Sequence, residues 1–294
     1  MGSLSERATD EGVYNMDNWE IALHERIRAA QNDLRTANEL ISLALAEPDE
    51  DVAWESVVIL HLRGSWEVFE AARSLCQSDC VVEKTLGVNI LGQLGVPDRT
   101  FPNECVDVLL PLLRSEVDVG VLQATCFALG HTSDKRAADE LTKLATHPSD
   151  LIRYGVAFAI ANLQNQIAID TLIQLTTDTV VEVRDWATFG LGNQIESNNP
   201  EIRSALLHAT TDANEVVRGE AFMGLARRRD ERVMEPLIRE LSVWHSLEHN
   251  DYVLDAAAEL ADARLLPMLL QLQESLDSQD ERLHNAIQRC SQGE

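Results

Sequence analysis

The sequence predicts an all-α fold, an α-α superhelix of about seven stacked helix pairs. Three observations predict it. Leu, Ala, Ile and Val dominate a chain that is 45% hydrophobic but only 5% aromatic, which suits helix–helix packing better than a β-sandwich. One nine-residue pattern recurs along the chain at a spacing of 31 to 38 residues. Between its copies lies a second amphipathic segment, set off by turns rich in the capping residues Asp, Asn, Ser and Thr.

The pattern starts at Lys84, Leu122, Arg153, Arg184, Arg218 and Val253. With the first residue as position 0, position +7 is Leu91, Leu129, Ile160, Leu191, Leu225 and Leu260, and position +8 is Gly92, Gly130, Ala161, Gly192, Ala226 and Ala261. Position +3 is mostly small: Gly87, Thr125, Val156, Ala187, Ala221 and Ala256. At 100° per residue, positions −1, +3, +6, +7 and +10 share one helix face, and small residues on that face let neighbouring helices approach closely. The second helix of each period is read from residues 137–144, 168–175 and 233–241. No such unit buries its own apolar face, so the units must stack.

In chain order, residues 1–16 read as a disordered polar tail. Residues 17–46 read as N-terminal capping helices, with Asp17 and Asn18 capping a helix that starts near Trp19. The solenoid occupies 47–275, its first unit marked by Val57, Val58, Leu60 and Leu62. Residues 276–294 read as a C-terminal capping helix and tail, with the helix over 279–290.

The segments Val183-Arg184…Leu191-Gly192 and Val217-Arg218…Leu225-Ala226 resemble the HEAT repeat, in the subfamily named after the phycobilisome lyases, whose motif reads acidic-x-x-Val-Arg-x-x-Ala-x-x-x-Leu-Gly. The resemblance covers roughly residues 37–275. It implies a solenoid whose Val-Arg helices line the concave side, with Arg153, Arg184 and Arg218 forming a structural ladder with Asp178 and Asp212. It does not choose among the many roles that such arrays serve.

Chemistry is mostly excluded. HEAT-repeat deoxyhypusine hydroxylases hold iron on repeated His-Glu dipeptides, but this chain has His24-Glu25 outside the repeats and a reversed Glu248-His249. Five irregularly spaced cysteines (Cys76, Cys80, Cys105, Cys126, Cys290) form no zinc-like set and read as reduced thiols of a cytoplasmic protein. No catalytic residue, no metal and no cofactor is assigned. The net charge of −25 disfavours nucleic acid and anionic membranes and favours a basic protein or peptide. HEAT-like alkylpurine DNA glycosylases use a basic groove. Here the groove positions are Asp185, Glu220 and Asp255, with Arg227 the basic exception. No apolar run of 18 residues and no signal-peptide pattern is found. The oligomeric state is left open.

The candidate site is an aromatic stripe. Position +5 lies opposite the core face and should be polar if merely solvated, yet it is Phe127, Phe158, Phe189 and Met223. Tyr154 and Trp186 sit beside it. The expectation is a partner-binding concave stripe of Phe127, Tyr154, Phe158, Asp185, Trp186, Phe189, Glu220, Met223 and Arg227. Burial of the +5 rings by strong superhelical curvature is the competing reading. The function expected is a non-catalytic scaffold for a protein or peptide. The alternative, implied by the subfamily resemblance, is a phycobilin-lyase-like enzyme or a chromophore-handling protein.

Overall fold

A computed structural model describes residues 16–243, 252–276 and 280–293. Among these residues every regular element is a helix. The chain divides into two compact units, Met1–Val108 and Leu109–Glu294.

The first unit carries α1 (Met16–Asn32), α2 (Ala37–Ala46), α3 (Glu50–Arg63), α4 (Trp66–Cys76) and α5 (Val81–Gly92), with α6 (Pro102–Leu109) at its end. Helix α3 packs between α1 and α5, and α2 packs beside α4, giving two layers. Local sequence sets the helix starts. Thr36 and Glu39 form a reciprocal capping box at α2, and Asp49 accepts the first N–H groups of α3. Helix α3 stops at Gly64, whose φ of 52° is left-handed backbone that glycine adopts freely. Helix α1 begins at Met16, so Asp17 and Asn18 lie inside its first turn rather than capping it. Apart from Met16, the tail read over residues 1–16 falls outside the described residues.

The second unit contains α7 (Leu112–Ser115), α8 (Val119–Thr132), α9 (Ala138–Lys143), α10 (Asp150–Ile160), α11 (Gln166–Leu175), α12 (Val181–Phe189), α13 (Pro200–Ala209), α14 (Glu215–Arg227), α15 (Met234–Ser242), α16 (Tyr252–Leu260), α17 (Leu266–Leu276) and α18 (Glu281–Gln292). Helices α8, α10, α12, α14, α16 and α18 pack in succession as one layer. The second layer includes the runs α7, α9, α11, α13 and α15, α17. The nine-residue pattern falls on the first layer. Its +7 residues are buried, from Leu129 at 1% exposed through Ile160, Leu191 and Leu225 at 0%. At +3, Thr125, Val156, Ala187, Ala221 and Ala256 are all fully covered. Position +8 is buried in each repeat of this unit but the last, where Ala261 follows the end of α16 with φ 51°.

Small residues set the helix spacing. A Cβ built on Gly130 would lie 2.8 Å from the Ala159 Cα, and one on Gly224 would lie 2.6 Å from the Gly192 Cα. These are backbone atoms that cannot swing aside. Gly224→Ala is therefore expected to destabilise by about 1–2 kcal/mol, because the overpacking cost exceeds the gain of up to about 1 kcal/mol in helix propensity. Urea denaturation checks the sign, and a stabilised variant would contradict the close approach.

Helix α12 does not end cleanly. Residues 190–194 continue it as a π-turn, closed by the Ile195 N–H donating to the Gly190 carbonyl at 2.9 Å. The half-buried Arg228 guanidinium donates to the carbonyls of Leu191 (2.6 Å), Gly192 (2.9 Å) and Ile195 (2.7 Å). It satisfies carbonyl groups that the end of a helix leaves open.

Candidate partner-binding face

The arginine ladder lies between the repeats. Arg153 of α10 makes a bidentate pair with Asp178, at 2.7 and 2.9 Å, and its other terminal nitrogen donates to the His147 carbonyl at 3.0 Å. Arg184 of α12 repeats this on Asp212, at 2.6 and 2.9 Å, and donates to the Asp178 carbonyl at 2.9 Å. Each guanidinium thus ties the turn before its own helix to the turn of the next repeat. Arg218 donates to the Asp212 carbonyl at 2.9 Å, but its carboxylate is Glu240 of α15, at 2.6 Å. The sequence reading did not name Glu240. Residues 25 to 28 positions beyond Arg218, the spacing of the other two pairs, run from Val243 to Ser246 without a carboxylate. Burial works to raise the Asp178 and Asp212 carboxyl groups, but the guanidinium and backbone N–H donors outweigh it and hold both below the usual value. The same bonds raise Arg153 and Arg184.

The +5 residues lie on α8, α10, α12 and α14, and the three rings among them are joined through Trp186. Phe127, Phe158, Phe189 and Met223 are all half-buried. Phe127 meets Phe158 edge to face at 4.9 Å between ring centroids, Phe158 meets Trp186 at 5.0 Å, and Trp186 meets Phe189 at 5.4 Å. Tyr154 packs against Phe127 at 5.6 Å and accepts a hydrogen bond from the Trp186 indole N–H at 3.0 Å. His131 closes the other side of Phe158 at 5.2 Å. The rings are neither free in solvent nor in the core. Phe127, Phe158 and Trp186 lean on rings of the neighbouring repeat, Phe189 leans on Trp186 of its own helix, and Phe158 lies over Gly130, whose missing side chain leaves it room. Edge-to-face pairs of this kind contribute about 0.5–1.5 kcal/mol beyond area burial.

The polar members of the predicted site fall differently. Glu220 is 1% exposed, so it is not the solvent-facing groove carboxylate that the sequence reading takes it for. Its carboxylate accepts a 2.6 Å hydrogen bond from the Asn193 amide. The amide oxygen of Asn193 accepts in turn from Arg227, which is exposed. Asn193 thus links two expected site residues that share no bond in sequence logic, and the π-turn carries it there. Asp185 is half-buried beside Trp186. Asp255, the third acidic groove position, is also half-buried.

Among the described residues no group of three or more His, Cys, Asp or Glu side chains is placed to hold a metal. His24 lies exposed on α1, and Glu248-His249 lies outside the described residues. No described helix is long and apolar enough to cross a membrane. Of the five cysteines only Cys80 is exposed. Burial pushes the Cys76, Cys105 and Cys126 thiols up to about 12. Since the thiolate is the reactive form, a colorimetric disulfide reagent at pH 8 should titrate one thiol rapidly in the native chain and all five after denaturation. Fast reaction of several native thiols would contradict the burial.

The profile of the family described as HEAT repeats matches residues 106–192 and 169–259, together just over half of the chain. The chain belongs to the HEAT-repeat family. The ladder arginines and the +7/+8 pairs of the second unit lie inside or at the edge of the matched span, so the packing described above is that of HEAT repeats. Over 220 residues the chain is 29% identical to Protein YibA of Escherichia coli (strain K12), covering 73% of this chain and 77% of that protein. The X-ray structure of E. coli YibA superposes with a TM-score of 0.68 at 23% identity, covering 97% of this chain and 99% of that one. An engineered protein superposes with a TM-score of 0.50 at 19% identity, covering 93% and 85%. These superpositions speak for the fold alone.

Proposed function

We propose that this HEAT-repeat chain is a non-catalytic scaffold that binds a basic protein or peptide along the ring row of α8, α10 and α12. One observation carries the reading: Phe127, Phe158, Trp186 and Phe189 form an unbroken, half-exposed chain of aromatic contacts across three successive repeats. Aromatic anchors with polar neighbours are the common energetic centre of an interface. Repeats stacked at helix-packing distances of about 8–10 Å give a row of roughly 20–30 Å, long enough for a helix or an extended peptide. The −25 net charge would speed encounter with a basic partner. Within the row, Asp185 is the acidic neighbour that remains partly open, and Arg227 stands at the far end to meet a carboxylate of the same partner.

Selection from a random peptide display library tests the reading. The immobilised wild-type chain should enrich sequences that combine basic with large apolar residues, and Phe158→Ala/Trp186→Ala should lose them. Enrichment that is acidic, or that persists unchanged on the double variant, would sink the proposal.

A further inference from the structure

The first unit holds a second feature that the ring row does not explain. Helices α1 and α3 leave a groove of about 480 Å³ between them. Its floor is apolar, formed by Ala30, Val58, Ile59 and Leu62. Trp54 lines it and remains 43% exposed, its ring braced edge-on by the buried His61 at 5.9 Å. Asp51 and Glu55 stand one helical turn apart on α3, on either side of Trp54 in sequence, and both line the groove.

The pair sits at the start of α3, where the helix dipole favours Asp51 while the like charge of Glu55 one turn on opposes it. Like charges four residues apart destabilise a helix by about 0.2–0.5 kcal/mol. No ion pair among the described residues engages either carboxylate, whereas Asp33 at the groove's edge is already taken by Arg35 and Arg63. The groove therefore offers two uncompensated negative charges, an open indole face and an apolar floor. A cation over an indole is attracted by the ring quadrupole, and a lysine or arginine stem is apolar along its length. Arg26 on α1 is the one opposing charge in the lining.

We propose that the α1–α3 groove docks a short cationic, apolar polypeptide segment of a partner, with a lysine or arginine stem over Trp54 and its charged head between Asp51 and Glu55. The inference does not rest on the ring row of the second unit, and its test keeps the two apart.

The test uses the full chain and a fluorescein-labelled peptide of alternating leucine and lysine, followed by fluorescence anisotropy. A benzophenone-bearing version of the peptide maps the contact by cross-linking and mass spectrometry. Binding is expected, with cross-links on residues of α1 and α3. Asp51→Asn/Glu55→Gln and Trp54→Ala should each weaken it by roughly tenfold, as expected for loss of an interface anchor, while the thermal melt stays close to wild type because these side chains are exposed. Arg26→Ala should tighten it, and Trp186→Ala should leave the groove cross-links in place. A leucine–glutamate peptide should not bind. The proposal is overturned by any of four results: no binding up to about 1 mM, equal binding of the acidic peptide, an unchanged affinity in the groove variants, or cross-links confined to α8–α14. Cross-links confined to α8–α14 would support the ring row while removing the groove.

Discussion

Arg184→Ala should lower the unfolding free energy by about 2–4 kcal/mol. The side chain is 17% exposed and its partner Asp212 10%, so removing the guanidinium strands a nearly buried carboxylate and also frees the Asp178 carbonyl. Breaking one side of a well-buried pair costs about 3–5 kcal/mol, and partial exposure trims that range. A double-mutant cycle with Asp212→Ala should show a coupling of about 1–3 kcal/mol, and additive losses would show the pair to be incidental. The pH dependence has a defined sign. The Asp178 and Asp212 carboxyl groups are held below the usual aspartate value in the folded chain by their guanidinium and backbone N–H donors. Their contribution is complete above the unfolded value and is lost as pH falls through the lower folded value. The stability gap between wild type and Arg184→Ala should therefore be widest at neutral pH and narrow as pH falls below the usual aspartate range, as urea titrations at several pH values would show.

Phe158→Ala should have two effects at once. The ring touches Phe127, Trp186 and His131 and covers Gly130. It is half-buried, so truncation should cost about 2–3 kcal/mol, less than the roughly 3–5 kcal/mol of a fully buried phenylalanine. If the row is the partner face, peptides selected on the wild-type chain should also bind the folded variant at least about tenfold more weakly. Phe189→Ala at the other end of the row provides a second measure of the same loss. A drop in melting temperature with capture unchanged in the folded fraction would assign the rings to packing between repeats and end the functional reading.

Much of the second unit was legible because its determinants are local and repeat. The branched aliphatic at +7 and the small residue at +8 mark a helix face that must meet another helix, and the buried Leu129, Ile160, Leu191 and Leu225 follow from that periodicity. The pairs Arg153–Asp178 and Arg184–Asp212 belong to the ladder that the HEAT-repeat resemblance implies, with an arginine and a turn aspartate returning in these two successive repeats. The pairing of Arg218 with Glu240 does not, because the repeat loses its turn aspartate there and the contact shifts to the neighbouring helix. The aspartate caps that also hold an arginine two residues on, at Asp134, Asp230 and Asp262, went unread for another reason. The Asp-x-Arg spacing was visible, but nothing local shows that the two charged ends meet.

The sequence by itself determined a stacked all-helical array, the face that each repeat buries and the placement of an aromatic at +5, because helical periodicity ties residue spacing to direction. Tertiary structure decided how deep those side chains lie. Glu220 is buried in the fold, the π-turn after Phe189 brings Asn193 between Glu220 and Arg227, and ring contacts within and between α8, α10 and α12 accompany the half-burial of the aromatic rings. Burial is set by atoms brought in from about thirty residues away, and the spacing within one helix carries no information about how closely the next one packs.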